Sequence, residues 1–332
     1  MDSEAVQPED HRGSLGKVRP SLVVLDRAFP KRICVIGDPI VDVWVTGQPR
    51  ACQDDCGCFV TGQEYLRPGG AAGAASQLGN WGCEVSLVAP LSRKLDRCFT
   101  TGVCTDLCFE CPANPVKYRY VKPDGRIAYR VDKEPACHGL SASETATCRE
   151  QALRLVREQD WHGLLISDYG KGFLDGPTVH GLVRACVSRG IRVVADLRLP
   201  PGCARGAVLK CNAEYAGHHP SIAWQCTVVT CGPMPPLVFL PGFEGTVSRP
   251  LPPDPSLRWP PVRQANHVGA GDCFAAHLLL GLSHGLSLAD AALWAHAAGR
   301  VYVQKPYGEP PEPAAVEADL LSCLAAPPVP SE

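Results

Sequence analysis

Short apolar runs alternate along the chain with longer stretches of helical character. Residues 32–36 form an apolar run that ends at Gly37-Asp38, and residues 41–46 continue in extended form. Similar runs cover 84–89 and 163–166, end at Ala195-Asp196, pass through Val208-Leu209-Lys210, and cover 227–230. Runs this short and this apolar suit strands buried on both faces. Between them lie helical segments. Small residues fill 71–78. Ser141 and Glu144 have capping-box spacing ahead of a helix reaching about residue 159. An apolar run over 274–282 reads as a buried helix ending near residue 281, and Ser287 opens another that runs to about residue 303. Prolines between 306 and 313 stop that helix, and 314–324 make a last surface helix. Strand and helix in alternation predict a mainly parallel sheet with helices on both faces.

One β-rich stretch interrupts the alternation. Residues 116–121 and 126–131 flank Lys122-Pro123-Asp124-Gly125, which has the chemistry of a hairpin turn. This hairpin is expected to project from the main sheet, together with 43–66, as a lid. Residues 233–262 are proline-rich, with 238–240 as a short edge strand. The domain expectation is a loosely ordered leader over 1–30 and one α/β domain over 31–325, its lid drawn from 43–66 and 116–132.

Composition adds exclusions. With 45% hydrophobic and 20% charged residues the chain reads as an ordinary globular protein, and its formal charge of -2 gives no field to attract nucleic acid. No apolar run approaches a membrane span, and the polar, acidic start carries no signal-peptide core, so a cytoplasmic location is expected. The 18 cysteines are then read as mostly reduced, buried thiols. Cys98, Cys104, Cys108 and Cys111, or Cys52, Cys56 and Cys58, are candidates for a metal cluster. Neither group has the paired spacing of a strong zinc motif, and the metal ligands stay unassigned.

The candidate chemistry gathers at Gly269-Ala270-Gly271-Asp272, just ahead of the apolar helix. A helix start presents unpaired N–H groups and the positive end of the helix dipole, which suits an anion. Glycines allow that anion close to the backbone. Asp272 stands in the first turn, where a carboxylate can take the proton of a hydroxyl that attacks a phosphate. The plainer alternative is a helix-start turn in which Asp272 satisfies free N–H groups. Asp38 and Asp42 fall at or just past a strand end, where open α/β sheets place ligand-binding groups.

The order of these pieces, from about residue 32 to 313, resembles the ribokinase/PfkB family of carbohydrate kinases. Within it, the chain is most similar to the bacterial D-glycero-β-D-manno-heptose-7-phosphate kinases. The stretches that carry the resemblance are Val35-Ile36-Gly37-Asp38 with Asp42, Arg67-Pro68-Gly69-Gly70-Ala71-Ala72, Arg130 with Asp132 and Glu134, Ser167-Asp168-Tyr169 with Lys171-Gly172, and Gly269-Ala270-Gly271-Asp272. The resemblance implies a ribokinase-like three-layer α/β/α fold with a small β lid, and a transfer from ATP with Mg2+ to a sugar hydroxyl. It implies Asp272 as catalytic base and Gly269, Ala270 and Gly271 as anion hole. Asp42, Gly69 and Gly70, with Asp38, would bind the sugar, and Asp132 would reach it from the lid. Asp168 and Lys171 would complete the substrate site, Lys171 on a substrate phosphate. Asn212, Thr230 and Gly232 would hold the nucleotide. The expected partners are a sugar or sugar phosphate and ATP, and a homodimer is expected through the lids. The nucleotidyltransferase domain that some heptose kinases carry is not expected within these residues.

Several positions depart from the family pattern. Asn266, His267 and Val268 replace Asp-x-Thr, which removes a contact to a monovalent cation and a phosphate donor. Gly73 replaces an asparagine that contacts the sugar, and Glu214 stands one residue early for a magnesium role. Asp196-Leu197-Arg198 replaces Asp-Pro-Lys. Three functions follow as alternatives: an active kinase of a heptose phosphate or related sugar, an inactive member that binds sugar or nucleotide as a regulator, and a kinase whose acceptor is a nucleoside or unphosphorylated sugar.

Overall fold

The computed structural model describes residue 25 and residues 30–51, 57–99, 102–199, 201–218, 227–239, 250–251, 259–263 and 266–325. Most of the leader expectation, together with Cys52 and Cys56, lies outside the described residues. The chain runs β1 (Arg32–Gly37), β2 (Pro39–Arg50), β3 (Cys58–Gly70), α1 (Ala71–Asn80), β4 (Glu84–Val88), β5 (Pro90–Leu91) and α2 (Arg93–Asp96). It continues with β6 (Val103–Cys104), β7 (Phe109–Glu110), β8 (Val116–Val121), β9 (Ile127–Lys133), α3 (Ala142–Glu158), β10 (Gly163–Ser167), α4 (Gly176–Val187), β11 (Arg192–Asp196) and β12 (Val208–Asn212). The last part holds α5 (Ala213–His218), β13 (Thr227–Cys231), β14 (Met234–Phe239), β15 (Pro250–Leu251), α6 (Ala270–Ser283), α7 (Leu288–Tyr302) and α8 (Pro313–Ala325).

The main sheet has the order β15-β14-β13-β12-β11-β10-β1-β4-β6 and is parallel from β6 through β13. β14 and β15 each join antiparallel, so the strand expected at the edge near 238–240 is covered by β15. Every residue of β10 is buried, as apolar strands with helices on both faces require. One core cluster gathers α1, α6 and α7, and a second gathers α3 and α4. α6 is buried almost all round, which explains a sequence with no polar face. The alanines of α1 let it lie close to α6. Ser141 closes the capping box on α3 as its spacing predicts. α8 is less superficial than expected, with Val316 and Cys323 buried. Among the described residues no helix is long and apolar enough to cross a membrane.

The segments expected as a lid form a separate four-stranded sheet, β3-β2-β8-β9, in which β2 and β8 are parallel and the two outer pairs antiparallel. The 116–132 hairpin therefore sits outside the main sheet. The lid strands reach further than 43–66, because β2 begins at Pro39 and β3 runs on to Gly70. β1 pairs with β4 on one side and with β10 on the other, which makes a topological switch point at their carboxyl ends. A Cβ on Gly37 would collide with the Ser167 carbonyl there, so only glycine lets the two strand ends meet.

Candidate active site

Four carboxyl ends of the main sheet, the polar face of the lid and the start of α6 converge at this switch point. Gly269 adopts φ +83 ahead of α6, and a Cβ on it would strike the Tyr302 hydroxyl. That hydroxyl donates to the Val268 carbonyl at 2.8 Å. Asn266 steadies the same turn, its Oδ1 accepting from Val268 N at 2.8 Å and its amide donating to the Val268 carbonyl at 3.3 Å. The departure at 266–268 thus keeps the turn by local hydrogen bonds, while His267 is exposed.

No side chain caps α6, so the plain helix-cap role does not describe Asp272. Its carboxylate is 6% exposed, and Oδ1 accepts a 2.6 Å hydrogen bond from the Tyr169 hydroxyl. Burial, with the charges of Asp196 and Asp42, pushes the Asp272 carboxyl up to about 7, against the pull of Tyr169 and Lys210. A carboxylate whose proton leaves near neutrality suits a general base.

Lys210 stands in the middle of β12, where the sequence marks only a strand. A charged residue closing an apolar run was the available signal. Its amine pairs with Asp196 at 2.7 Å and lies 2.9 Å from where a Cβ on Gly271 would stand. It is 6% exposed. The turn therefore combines backbone N–H groups with a buried cation. The three residues expected at the nucleotide occupy the neighbouring strand ends. Asn212 Oδ1 accepts from Tyr215 N at 2.8 Å, the Thr230 hydroxyl donates to the Cys211 carbonyl at 3.2 Å, and Gly232 faces open space. The Thr230 hydroxyl is thus turned to the protein backbone.

On the lid, register sets Arg67, Asp42, Lys117 and Asp132 in one row across the sheet. Asp42 Oδ1 pairs with Arg119 at 2.6 Å, and the Arg119 guanidinium lies over Trp44. Burial raises the Asp42 carboxyl, and Arg119 works against it. A Cβ on Gly69 would collide with the Asp42 carboxylate, and one on Gly70 with the Asp38 carbonyl. A Cβ on Gly73 would lie 3.0 Å from the Pro68 carbonyl and 4.0 Å from Asp272 Oδ2, so the position of the missing asparagine adjoins the base. Asp132 binds Arg130 at 2.5 Å and Lys117 at 3.0 Å, which hold its carboxyl well below the usual range. Glu134 joins Lys171 at 2.6 Å to Lys117 at 3.0 Å. The structure thus adds Lys117 and Arg119 to this face. Their alternation through a β-run was a signal, but nothing local told which face meets the site.

Two expected sugar ligands have other partners. Asp38 is fully buried. Its Oδ2 accepts from the backbone N–H of Tyr169 (2.9 Å) and Lys171 (3.0 Å), and its Oδ1 meets His138 Nε2 at 3.0 Å. Burial opposes the charge, yet His138 and these N–H groups keep the carboxyl below its usual value. Asp168 Oδ1 accepts from Gly170 N at 2.9 Å, and Oδ2 from Arg198 N and Leu199 N at 2.9 and 3.1 Å. Both acids have their oxygens committed within the protein, Asp168 to loop backbone and Asp38 to loop backbone and His138, and they build the site from behind. His138 had no sequence signal, because its partner lies 100 residues away.

Among the described residues, Cys98, Cys104, Cys108 and Cys111 do not gather as one metal site. Cys98 and Cys108 turn to the carbonyls of Lys94 and Leu87, Cys111 is buried and Cys104 is exposed. Among the described residues no three His, Cys, Asp or Glu side chains gather as a metal site.

Comparison with known proteins agrees with this geometry. The family model of the pfkB family carbohydrate kinases matches residues 249–315, which include the Gly269 turn and Asp272. The bifunctional protein HldE of Citrifermentans bemidjiense is 28% identical over 306 residues, covering 84% of this chain and 61% of the relative. HldE of Helicobacter pylori is 27% identical, covering 83% of this chain and 63% of the relative. The chain thus spans somewhat under two thirds of the length of these curated relatives. Among solved structures, Escherichia coli phosphofructokinase-2 in complex with potassium superposes with a TM-score of 0.64 at 16% identity, covering 89% of this chain and 99% of that one. Arabidopsis thaliana ribokinase with ribose and ATP gives 0.61 at 16% identity, covering 88% and 99%. These likenesses establish the ribokinase-like fold. The chain is thus similar to pfkB family carbohydrate kinases over the segment that holds the glycine turn, and to the HldE proteins over most of its own length.

Proposed function

We propose that the protein transfers a phosphoryl group from ATP to a hydroxyl of a phosphorylated sugar, of the heptose phosphate kind. The observation that carries the reading is the buried Asp272 at an uncapped helix start, held by Tyr169. In this reading Asp272 takes the proton of the acceptor hydroxyl. Gly269, Ala270 and Gly271 receive negative charge on their N–H groups, and the Lys210 amine offsets charge on the same side. The uncapped helix start and the adjoining buried amine fit a polyphosphate chain. Asn212 and Gly232 would border the nucleotide. Magnesium would accompany ATP as part of that substrate, with Asp196 the nearest carboxylate to Lys210. Asp42, oriented by Arg119, and the backbone at Gly69 and Gly70 would bind sugar hydroxyls. Lys171 and Lys117, both held by Glu134, supply positive charge for the acceptor's own phosphate.

The HldE relatives support the heptose phosphate choice, and the Asp168-Tyr169-Gly170-Lys171-Gly172 loop points the same way. A cytoplasmic enzyme fits this substrate class. We also propose a homodimer through the lid. Register sets Leu66, Val43, Tyr118 and Val131 in a second row on its other face; Val43 is buried in the chain's own core, and the two ends of the row, Leu66 and Val131, are 38% and 47% exposed. The test of function is ADP release with ATP and magnesium across heptose phosphates, hexose phosphates, free sugars and nucleosides. Turnover confined to phosphorylated sugars is expected. Turnover of free sugars or nucleosides alone overturns the acceptor assignment. Sugar or nucleotide binding with no turnover on any acceptor overturns the kinase reading in favour of a regulator.

A further inference from the structure

Asp272 offers two oxygens with different surroundings. Oδ1 is taken by the Tyr169 hydroxyl at 2.6 Å, while Oδ2 lies on the side of Gly73, 4.0 Å from where a Cβ there would stand. Tyr169 follows β10 directly, 103 residues from Asp272 in sequence. Its placement is set from behind by a buried chain of polar groups. Asn114 donates to the Pro90 carbonyl and meets His138 Nδ1 at 3.1 Å, and His138 Nε2 meets Asp38 Oδ1 at 3.0 Å. Asp38 Oδ2 then accepts from the backbone N–H of Tyr169 and of Lys171. Asn114, His138 and Asp38 are 2%, 0% and 0% exposed. A fully satisfied buried network of this kind fixes one geometry, because any movement strands a polar group away from water.

The geometry points to Tyr169 as a positioning residue for the proton transfer: its hydroxyl fixes Oδ1 of Asp272 so that Oδ2 faces the acceptor, and the Asn114–His138–Asp38 chain fixes Tyr169. This rests on the reading of Asp272 as general base. The phenol stays protonated and can only donate here, since burial and the Asp272 charge push its own ionisation well above the ordinary range. The other groups that face Asp272 are Asp196 from β11, Lys210 from β12 and Asp42 from β2. Asp196 and Asp42 disfavour the carboxylate, Lys210 favours it, and the Tyr169 hydrogen bond favours it too. Removing that hydroxyl therefore has two separable effects. The carboxylate loses its orientation, and its proton leaves at higher pH.

Tyr169→Phe deletes only the hydroxyl and keeps the ring in place. kcat is expected to fall about tenfold to a hundredfold, the worth of a hydrogen bond to a charged group, with KM for the sugar nearly unchanged. The acid limb of the pH profile should move to higher pH. A second readout needs no turnover. The Asp272 carboxyl, assigned by its loss in Asp272→Asn, is titrated by carbon-13 NMR in wild type and in Tyr169→Phe. Its midpoint should rise in the variant. A carboxyl titration that is the same in both proteins overturns the proposal, as does a variant with wild-type kcat and an unmoved acid limb. Should the wild type turn over no sugar, the kinase reading fails on that result, and the carboxyl titration still decides whether Tyr169 governs Asp272.

Discussion

Replacing Asp272 by asparagine should make the protein more stable above neutral pH while it removes turnover. The carboxyl is buried and its proton leaves at about 7, against 3.8 for the free group. The folded state therefore binds the proton more tightly than the unfolded state between those values. The penalty for burying the charge is absent below 3.8, grows as pH rises, and is complete above about 7. The gap corresponds to roughly 4 kcal/mol at pH 8 and about 1.5 kcal/mol at pH 5. Asparagine has nearly the same shape, carries no charge, and its Oδ1 still accepts from Tyr169. Its own burial cost is the same at both pH values, so the difference isolates the charge. Urea unfolding of both proteins at pH 5 and pH 8 measures it. With an m-value of about 3 kcal/mol/M, the midpoint advantage of the variant should be about 0.8 M larger at pH 8 than at pH 5. A helix cap predicts the opposite sign, because a first-turn carboxylate is stabilised by the dipole and loses that on neutralisation. A variant that is no more stable than wild type at pH 8, or whose advantage does not change with pH, refutes the assignment of Asp272 as a buried base. Turnover of the same variant should fall by roughly a hundred- to ten-thousand-fold with ATP still bound.

Lys210→Met keeps most of the buried aliphatic stem and removes the amine beside Gly271. An effect on the phosphoryl group calls for a drop in kcat of about tenfold or more in steady-state ADP release, and Asp196, left without its partner, should lower the melting temperature as well. Gly269→Ala forces a side chain into a left-handed backbone and against Tyr302, so it should cost about 1–2 kcal/mol in urea unfolding and weaken ATP binding in calorimetry. Val131→Asp places a charge at an exposed apolar edge of the lid, and sedimentation should report a dimer for the wild type and a monomer for the variant; equal association states in both would count against the lid interface.

The parts of this protein legible in its sequence are those governed by neighbours in the chain. Apolar runs such as Gly163–Ser167 mark strands buried on both faces, because a strand with helices above and below has no polar side. Ser141 and Glu144 close the α3 capping box within a single turn of chain. Gly269 and Asp272 announce a helix start that can hold an anion, and the Lys122–Gly125 turn announces a hairpin. What the tertiary structure decided are the meetings of residues far apart. Asp38 and Asp168 sit at strand ends, as expected of ligand-binding acids, yet the fold brings loop N–H groups to both. Tyr169 reaches Asp272 across 103 residues, and Arg119 reaches Asp42 across 77. Lys210 comes to Gly271 only because β12 runs close enough to the start of α6 for its side chain to reach it. Periodicity tells which face of an element is apolar, but it does not tell which other element that face will meet. The crossover order of the sheet and the register of the lid make that choice, and through it they set the charge and the hydrogen bonding of the base.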